Sequence, residues 1–391
     1  MTRCPFCFLK LQVGSLAFRC TAPDCTGEAE SGPGQFSRLG ARRGPLILPT
    51  AGSPPGQCPT CRRISSGLAC PRCGYDLPDG WTDADTTCLV MAGARTSGKS
   101  VYIAVLKKQA ESLATALGGS FQYGSALTEL TFEEMYERYV FEERSFMPST
   151  ISVNTGGYQR EPLVFSLGTL GNRRHFLVVR DVAGEDLEPK EEAVPFDFTT
   201  FNDADAILFL FDPMTIRSIS AQLTGVVKAP AGQRSEPIEV LAKLAGMIRG
   251  PGGLPTAPIT APLALVIGKF DTLHELKRVQ GSTWIPVVTN AGAAINRDPG
   301  LDTPTYSPDD AELLEAEVSG MLTDLGAQSL LNFTRANFST VQLFAISSLG
   351  APPSLANDIN PRGLTPFRVL DPLRWVLYHQ RVLPAEPPRI E

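Results

Sequence analysis

The sequence lacks any apolar run near the ~18 residues that a membrane span requires, and residues 1–10 lack the pattern of a secretory signal. These absences predict a cytoplasmic protein with no membrane among its partners. Strong charge of one sign is missing too: 35 Lys/Arg against 41 Asp/Glu leave −6, which disfavours wholesale binding to nucleic acid or anionic lipid. Internal repeats are absent. Cysteine is almost absent after residue 73, where Cys88 stands alone on an apolar stretch and reads as a small buried hydrophobe. Hydrophobic residues at 43% and charged residues at 19% describe an ordinary globular protein. Its 391 residues suffice for two or three domains.

The other eight cysteines fall within the first 73 residues. In a reducing compartment, that concentration points to metal rather than to disulfides. Taken in chain order they form two sets. One is Cys4, Cys7, Cys20 and Cys25; the other is Cys58, Cys61, Cys70 and Cys73. A C-x-x-C pair wraps one side of a zinc ion and a second pair completes the tetrahedron. Proline after the first cysteine favours the tight turn, and glycine after the last tolerates positive φ. Four thiolates close the shell, so both zincs are expected to be structural. Over residues 1–80, nine Lys/Arg against five Asp/Glu leave +4, which two Zn(Cys)4 sites at about −2 each would cancel. A protein-docking or purely structural role is therefore at least as favoured as nucleic-acid binding for this region.

Gly93-Ala94-Arg95-Thr96-Ser97-Gly98-Lys99-Ser100 fits the phosphate-loop pattern G-x-x-x-x-G-K-[ST], with a buried strand expected over 86–92 and a helix over 101–108. Further on, a hairpin is expected from strands 162–170 and 175–180 around Gly171-Asn172. It runs into Asp181-Val182-Ala183-Gly184, where an acidic residue can hold a Mg²⁺-bound water and a glycine N–H can meet a γ-phosphate. Residues 206–212 and 262–267 read as buried parallel strands, 340–346 as the last strand and 371–383 as a closing amphipathic helix. Asp212 reads as a turn former. Helices are expected at 127–143, 237–248 and 308–325, and a mobile Ser/Thr/Gly/Asn-rich loop at 148–159.

The predicted fold class is α/β: a P-loop NTPase domain with a mostly parallel sheet and helices on both faces, preceded by two small zinc-ribbon modules. The boundaries are a first ribbon at 1–30, a Gly/Pro/Arg-rich linker at 31–57 and a second ribbon at 58–80. The P-loop domain then spans 82–383, with insertions at about 213–262 and 272–338.

These motifs resemble the Ras-like and translation-factor (TRAFAC) superclass of P-loop GTPases, whose base-reading K-x-D is matched by Lys269-Phe270-Asp271 and whose short serine motif is matched by Ala345 to Ser348. The chain also looks like the bacterial double-GTPase families, which carry fused zinc ribbons and are encoded beside a second GTPase in NTP-dependent conflict clusters. The resemblance implies roles residue by residue. Backbone amides from Arg95 through Thr96, Ser97, Gly98 and Lys99 would cradle phosphates behind Gly93, with the Lys99 ammonium on the β and γ oxygens. Ser100 would bind Mg²⁺, Asp181 would hold it through water, and the Gly184 N–H would sense the γ-phosphate. Lys269 would pack on the base, Asp271 would accept the guanine N1–H and 2-amino hydrogens, and Ser347 would complete the base site. Thr150, or as second candidate Thr155, would be the switch threonine.

Two departures stand out. Gly268 replaces the usual asparagine, and Glu185 stands where a water-orienting glutamine is usual. Arg95 is a candidate charge stabiliser. The reading that follows is a Mg²⁺-dependent GTP switch with slow hydrolysis, its zinc ribbons docking a protein partner such as a second GTPase or another copy of the chain. The alternatives are a nucleotide-bound scaffold without turnover, an ATPase with a remodelled base pocket, and a ribbon-led nucleic-acid binder.

Overall fold

The computed structural model describes residues 2–25, 44–49, 56–143, 161–187, 197–227, 235–254, 257–300, 303–351 and 364–386. Three short strands, β1 (Ala17–Arg19), β2 (Leu46–Ile47) and β3 (Gly67–Ala69), form an antiparallel sheet in the order β2-β1-β3. Strand β2 falls inside the stretch expected to be a linker, and β1 pairs directly with β3. The two ribbons expected in sequence are therefore built as one interwoven module.

Seven further strands form the main sheet. They are β4 (Ala84–Ala92), β5 (Gln122–Tyr123), β6 (Leu163–Leu170), β7 (Arg173–Asp181), β8 (Ala206–Phe211), β9 (Leu263–Ile267) and β10 (Val341–Ala345). Their order is β10-β9-β8-β4-β7-β6-β5. Among the described strands β6 alone runs opposite to the others, antiparallel to β5 and paired in the expected hairpin with β7. The rest is parallel, and its strands are apolar on both sides because helices cover both faces. Alternation along β4 shows this directly. Leu89 and Met91 face one core with the helix Lys99–Ala116 and the helix Asp371–His379. Cys88, Val90 and Ala92 face the other, with Val240, Leu241 and Leu244 of the helix Pro237–Arg249. Cys88 is fully buried, as its sequence setting suggested.

Local chemistry sets the helix ends. Pro237 opens its helix beneath a reciprocal Glu236/Glu239 capping box, and Gly250 ends it at φ 68°. Ser307 caps the helix Pro308–Asp324, whose first residue is again proline. The segment expected as one helix at 127–143 is α-helical over Ala126–Phe132 and then continues as a wider π-helix over Glu133–Glu142. Among the described residues, no helix is long and apolar enough to cross a membrane.

The amino-terminal module rests on the face of the sheet that carries Cys88. Phe8 meets Phe201 at 6.1 Å between ring centroids, and Trp81 stacks on Phe176 at 4.7 Å. Arg3 pairs with Asp205 at 3.1 Å and Arg72 with Asp203 at 2.6 Å. The module thus docks first on its own chain.

Candidate functional site

Each C-x-x-C makes the same turn. In each, the N–H of Cys4, Cys58 or Cys70 donates to the carbonyl five residues on, and the N–H four residues on donates back to that cysteine's carbonyl. The residue after each second cysteine takes a left-handed conformation: Phe8 at φ 58°, Arg62 at 64° and Gly74 at 68°. Glycine satisfies this without strain; Phe8 and Arg62 adopt it although side chains disfavour it. Cys20 and Cys25, with four residues between them, are joined by a different loop.

The structure corrects the expected grouping. Cys4 and Cys7 meet Cys70 and Cys73, while Cys20 and Cys25 meet Cys58 and Cys61. The physical reason is the β1–β3 pairing, which lays the early cysteines across the late ones instead of letting each half close on itself. Within each cluster all Sγ atoms lie within 4.8 Å of one another. The nearest pairs are 3.6 Å apart in the first cluster and 3.7 Å in the second. A tetrahedron with Zn–S of about 2.3 Å has edges of about 3.8 Å; a disulfide needs about 2.05 Å. The donor sets fit a four-thiolate zinc, and all nine cysteines are free thiols.

The phosphate loop joins the end of β4 to the helix Lys99–Ala116. Parallel pairing puts Met91 beside Asp181, so β4 and β7 end together. Gly184 then approaches so closely that a Cβ there would stand 2.4 Å from the Arg95 nitrogen, and only glycine permits this contact between the two motifs. Lys99 is 5% exposed, and its Nζ donates to the carbonyls of Gly93 (2.7 Å) and Ala94 (3.0 Å). Thr96 holds a left-handed φ of 61°, a mark of a constrained loop.

Asp181 is buried, with 7% of its surface exposed. Burial pushes its carboxyl up to about 6, against the opposing pull of Lys99 and of Tyr136, whose hydroxyl donates to Oδ2 at 3.1 Å. Its Oδ1 and the Ser97 hydroxyl are buried with no hydrogen-bond partner. Orphaned polar atoms beside a phosphate-type loop fit a cation and an anion held between them, with Ser100 at the second position of the helix. Arg95 Nη1 lies 3.3 Å from Glu185 Oε1, so the two residues singled out for catalysis form one pair. Thr150 and Thr155 lie outside the described residues.

The Lys269–Asp271 segment and Ser347 reach the same loop from the far side. Asp271 begins the short helix Asp271–His274 and is buried, which raises its carboxyl above the ordinary range although Ser347 opposes the shift. Ser347 Oγ donates to Asp271 Oδ1 at 2.5 Å, and its own backbone is paired in both directions with Phe367. Lys269 Nζ bridges the Thr96 carbonyl (3.0 Å) and Asp212 Oδ2 (2.7 Å). Asp212 does form a turn, accepting from Met214 N at 2.9 Å. It also makes a tie to the phosphate loop, which its sequence did not announce. A Cβ at Gly268 would stand 3.2 Å from the Ser97 carbonyl, a tight contact that asks the loop to give by a few tenths of an ångström. Tyr136 was missed as well; its only signal was its place on the buried stripe of an amphipathic segment.

No family model matches the chain. Solved structures with a similar arrangement include the Arl6 BBS3 small GTPase of Trypanosoma brucei with a bound nucleotide analogue. It is 12% identical, with 76% of this chain and 98% of that chain covered and a TM-score of 0.28. The GTP-bound GTPase-like domain of Ski7 from S. cerevisiae is 13% identical, with 79% and 52% covered and a TM-score of 0.31. A protein of Mycolicibacterium smegmatis described as "Putative ESX-1 scaffolding and assembly protein SaeC" is 36% identical over 392 residues, covering 96% of this chain and 98% of its own. At that identity, along nearly the whole of both proteins, the chain belongs to the SaeC family.

Proposed function

We propose that the protein is a guanine-nucleotide-binding switch. The observation that carries this reading is convergence on one loop: Gly184 touches it from the β7 side, and Lys269, anchored by Asp212, touches it from the Asp271–Ser347 side. Backbone amides of residues 95–99 and the Lys99 ammonium bind the phosphates. Ser100 and Asp181 would hold Mg²⁺, which would supply positive charge to the phosphates. Asp271 accepts the two guanine donors that adenine lacks, and this supports GTP over ATP. Glu185 in place of a water-orienting amide, with Arg95 committed to it, supports slow turnover.

Two structural zincs complete the reading, and reduced thiols fit a cytoplasmic setting. The first cluster is packed against the chain's own domain. A partner protein is therefore expected at the second cluster, where Leu48 is 53% and Ile64 73% exposed. A nucleotide-loaded scaffold without turnover is the second reading, favoured by the scaffolding and assembly role in the relative's description. That description also supports an assembly role over a conflict system. The test is competition of GTP, GDP and ATP for a fluorescent GDP, followed by multiple-turnover phosphate release. ATP binding as tightly as GTP would defeat the guanine assignment, and release below one phosphate per chain would select the scaffold.

A further inference from the structure

The end of β7 carries two charges on opposite faces, as neighbours on a strand must. Asp181 faces Lys99 and Tyr136 in the nucleotide site. Arg180 turns to the other face, with Phe176 and Val178, where the amino-terminal module sits. There its guanidinium carbon lies 4.2 Å from the centre of the Phe6 ring. Phe6 lies between Cys4 and Cys7 and stacks at 5.7 Å on Tyr75, two residues after Cys73. Both rings therefore belong to the knuckles that close the first cluster.

Arg180 is 4% exposed, and a buried cation needs negative charge close by. Glu161, at the approach to β6, acts on it most favourably, followed by Tyr75 and then by Cys73 and Cys4. Four thiolates around a zinc supply a net charge of about −2 in that place. The strand end is otherwise held tightly: Arg180 pairs with Val90, Asp181 pairs with Met91, and Val182 N donates to the Met91 carbonyl at 2.9 Å. A shift of the backbone at Arg180 carries Asp181 with it, because one peptide bond joins them. The other cluster packs instead with Phe18, Ala22 and Ile47.

We propose that the Cys4/Cys7/Cys70/Cys73 metal site positions Asp181 through Phe6 and Arg180. Metal at this cluster then sets how much Mg²⁺ strengthens nucleotide binding, while the Cys20/Cys25/Cys58/Cys61 site has no such effect. The proposal rests on the nucleotide-binding reading above, and Phe6 and Arg180 act as positioning residues.

The experiment uses the full chain, with zinc measured by elemental analysis and fluorescent-GDP affinity measured in Mg²⁺ and in EDTA. Phe6→Leu keeps all eight thiols. It should retain two zincs and wild-type affinity in EDTA while losing about three- to tenfold of the Mg²⁺-dependent gain. Arg180→Met should show the same split, and Arg180→Lys should recover part of the gain. Cys7→Ser should lose one zinc together with the gain, whereas Cys61→Ser should lose one zinc and keep it. A full gain in Phe6→Leu, or equal losses in Cys7→Ser and Cys61→Ser, overturns the coupling. Because Phe6→Leu leaves both metal sites intact, it decides the matter even where a cysteine variant does not fold. Wild-type protein that binds no guanine nucleotide defeats the underlying switch reading instead.

Discussion

Lys269 Nζ sits 2.7 Å from Asp212 Oδ2, a carboxylate from the end of a neighbouring strand. That contact holds the ammonium where it also reaches the Thr96 carbonyl, and so ties the Lys269–Asp271 segment to the loop after β4 without an asparagine at position 268. Asp212→Ala should weaken GDP and GTP alike by about tenfold, the scale of one hydrogen bond to a charged group. Asp212→Asn, which can keep the turn with Met214, should weaken them less. Equilibrium titration with a fluorescent nucleotide checks both.

The Arg95–Glu185 pair gives a different pattern. Removing the arginine leaves a carboxylate beside the γ-phosphate position, so Arg95→Ala should lower GTP affinity several-fold while sparing GDP. Glu185→Gln should raise the GTP-to-GDP affinity ratio and the rate of phosphate release. Equal effects on the two nucleotides would remove the pair from γ-phosphate sensing.

Asp271→Asn replaces the acceptor for both guanine donors with a group that offers N–H. It should reduce GTP affinity at least about a hundredfold and shift preference towards xanthosine nucleotides. Competition between the two nucleotides reads this without any turnover.

His175 predicts a pH dependence of stability. Its ring nitrogen Nε2 lies 2.8 Å from the Thr87 hydroxyl in a buried site, and burial lowers its pKa to about 4. The unfolded chain takes up a proton near pH 6.5, whereas the folded chain takes it up only near 4. The stability from this group is complete above about pH 6.5 and is lost as pH falls towards 4, in total about 3 kcal/mol. His175→Gln should flatten that part of the urea-midpoint profile.

The interleaved cysteines can be tested by counting metal. Replacing Cys4 and Cys70 together by serine should remove one zinc, because both serve the first cluster. Replacing Cys4 and Cys20 should remove two. Clusters grouped in chain order would give the opposite counts in elemental analysis.

What the sequence revealed was local, and what it concealed was long-range. The strand before Gly93, the hairpin into Asp181 and the strand into Lys269 were legible because apolar runs and turn residues sit next to the motifs they support. The partners of Asp181 and Lys269 were not, since Tyr136 reaches across 45 positions and Asp212 across 57. The spacing of each C-x-x-C announced a metal. Which pairs share one depended on β1 meeting β3, a contact that no local pattern encodes. Gly268 read only as a departure from the usual asparagine, and the hydrogen bonds of Lys269 to Asp212 and Thr96 show where the tie is made instead.

The nesting of the two clusters also dictates an order of assembly. Cys20 to Cys61 lies wholly inside the interval from Cys4 to Cys73, so on a ribosome adding about 5–20 residues per second the inner site can close first. Its closure shortens the loop that Cys4 and Cys7 must span to reach Cys70 and Cys73, easing the second closure. All eight cysteines of the two sites are synthesised before Ala84, the first residue of β4. The amino-terminal module can therefore stand finished before any strand of the main sheet exists, and the sheet then forms against a surface already in place.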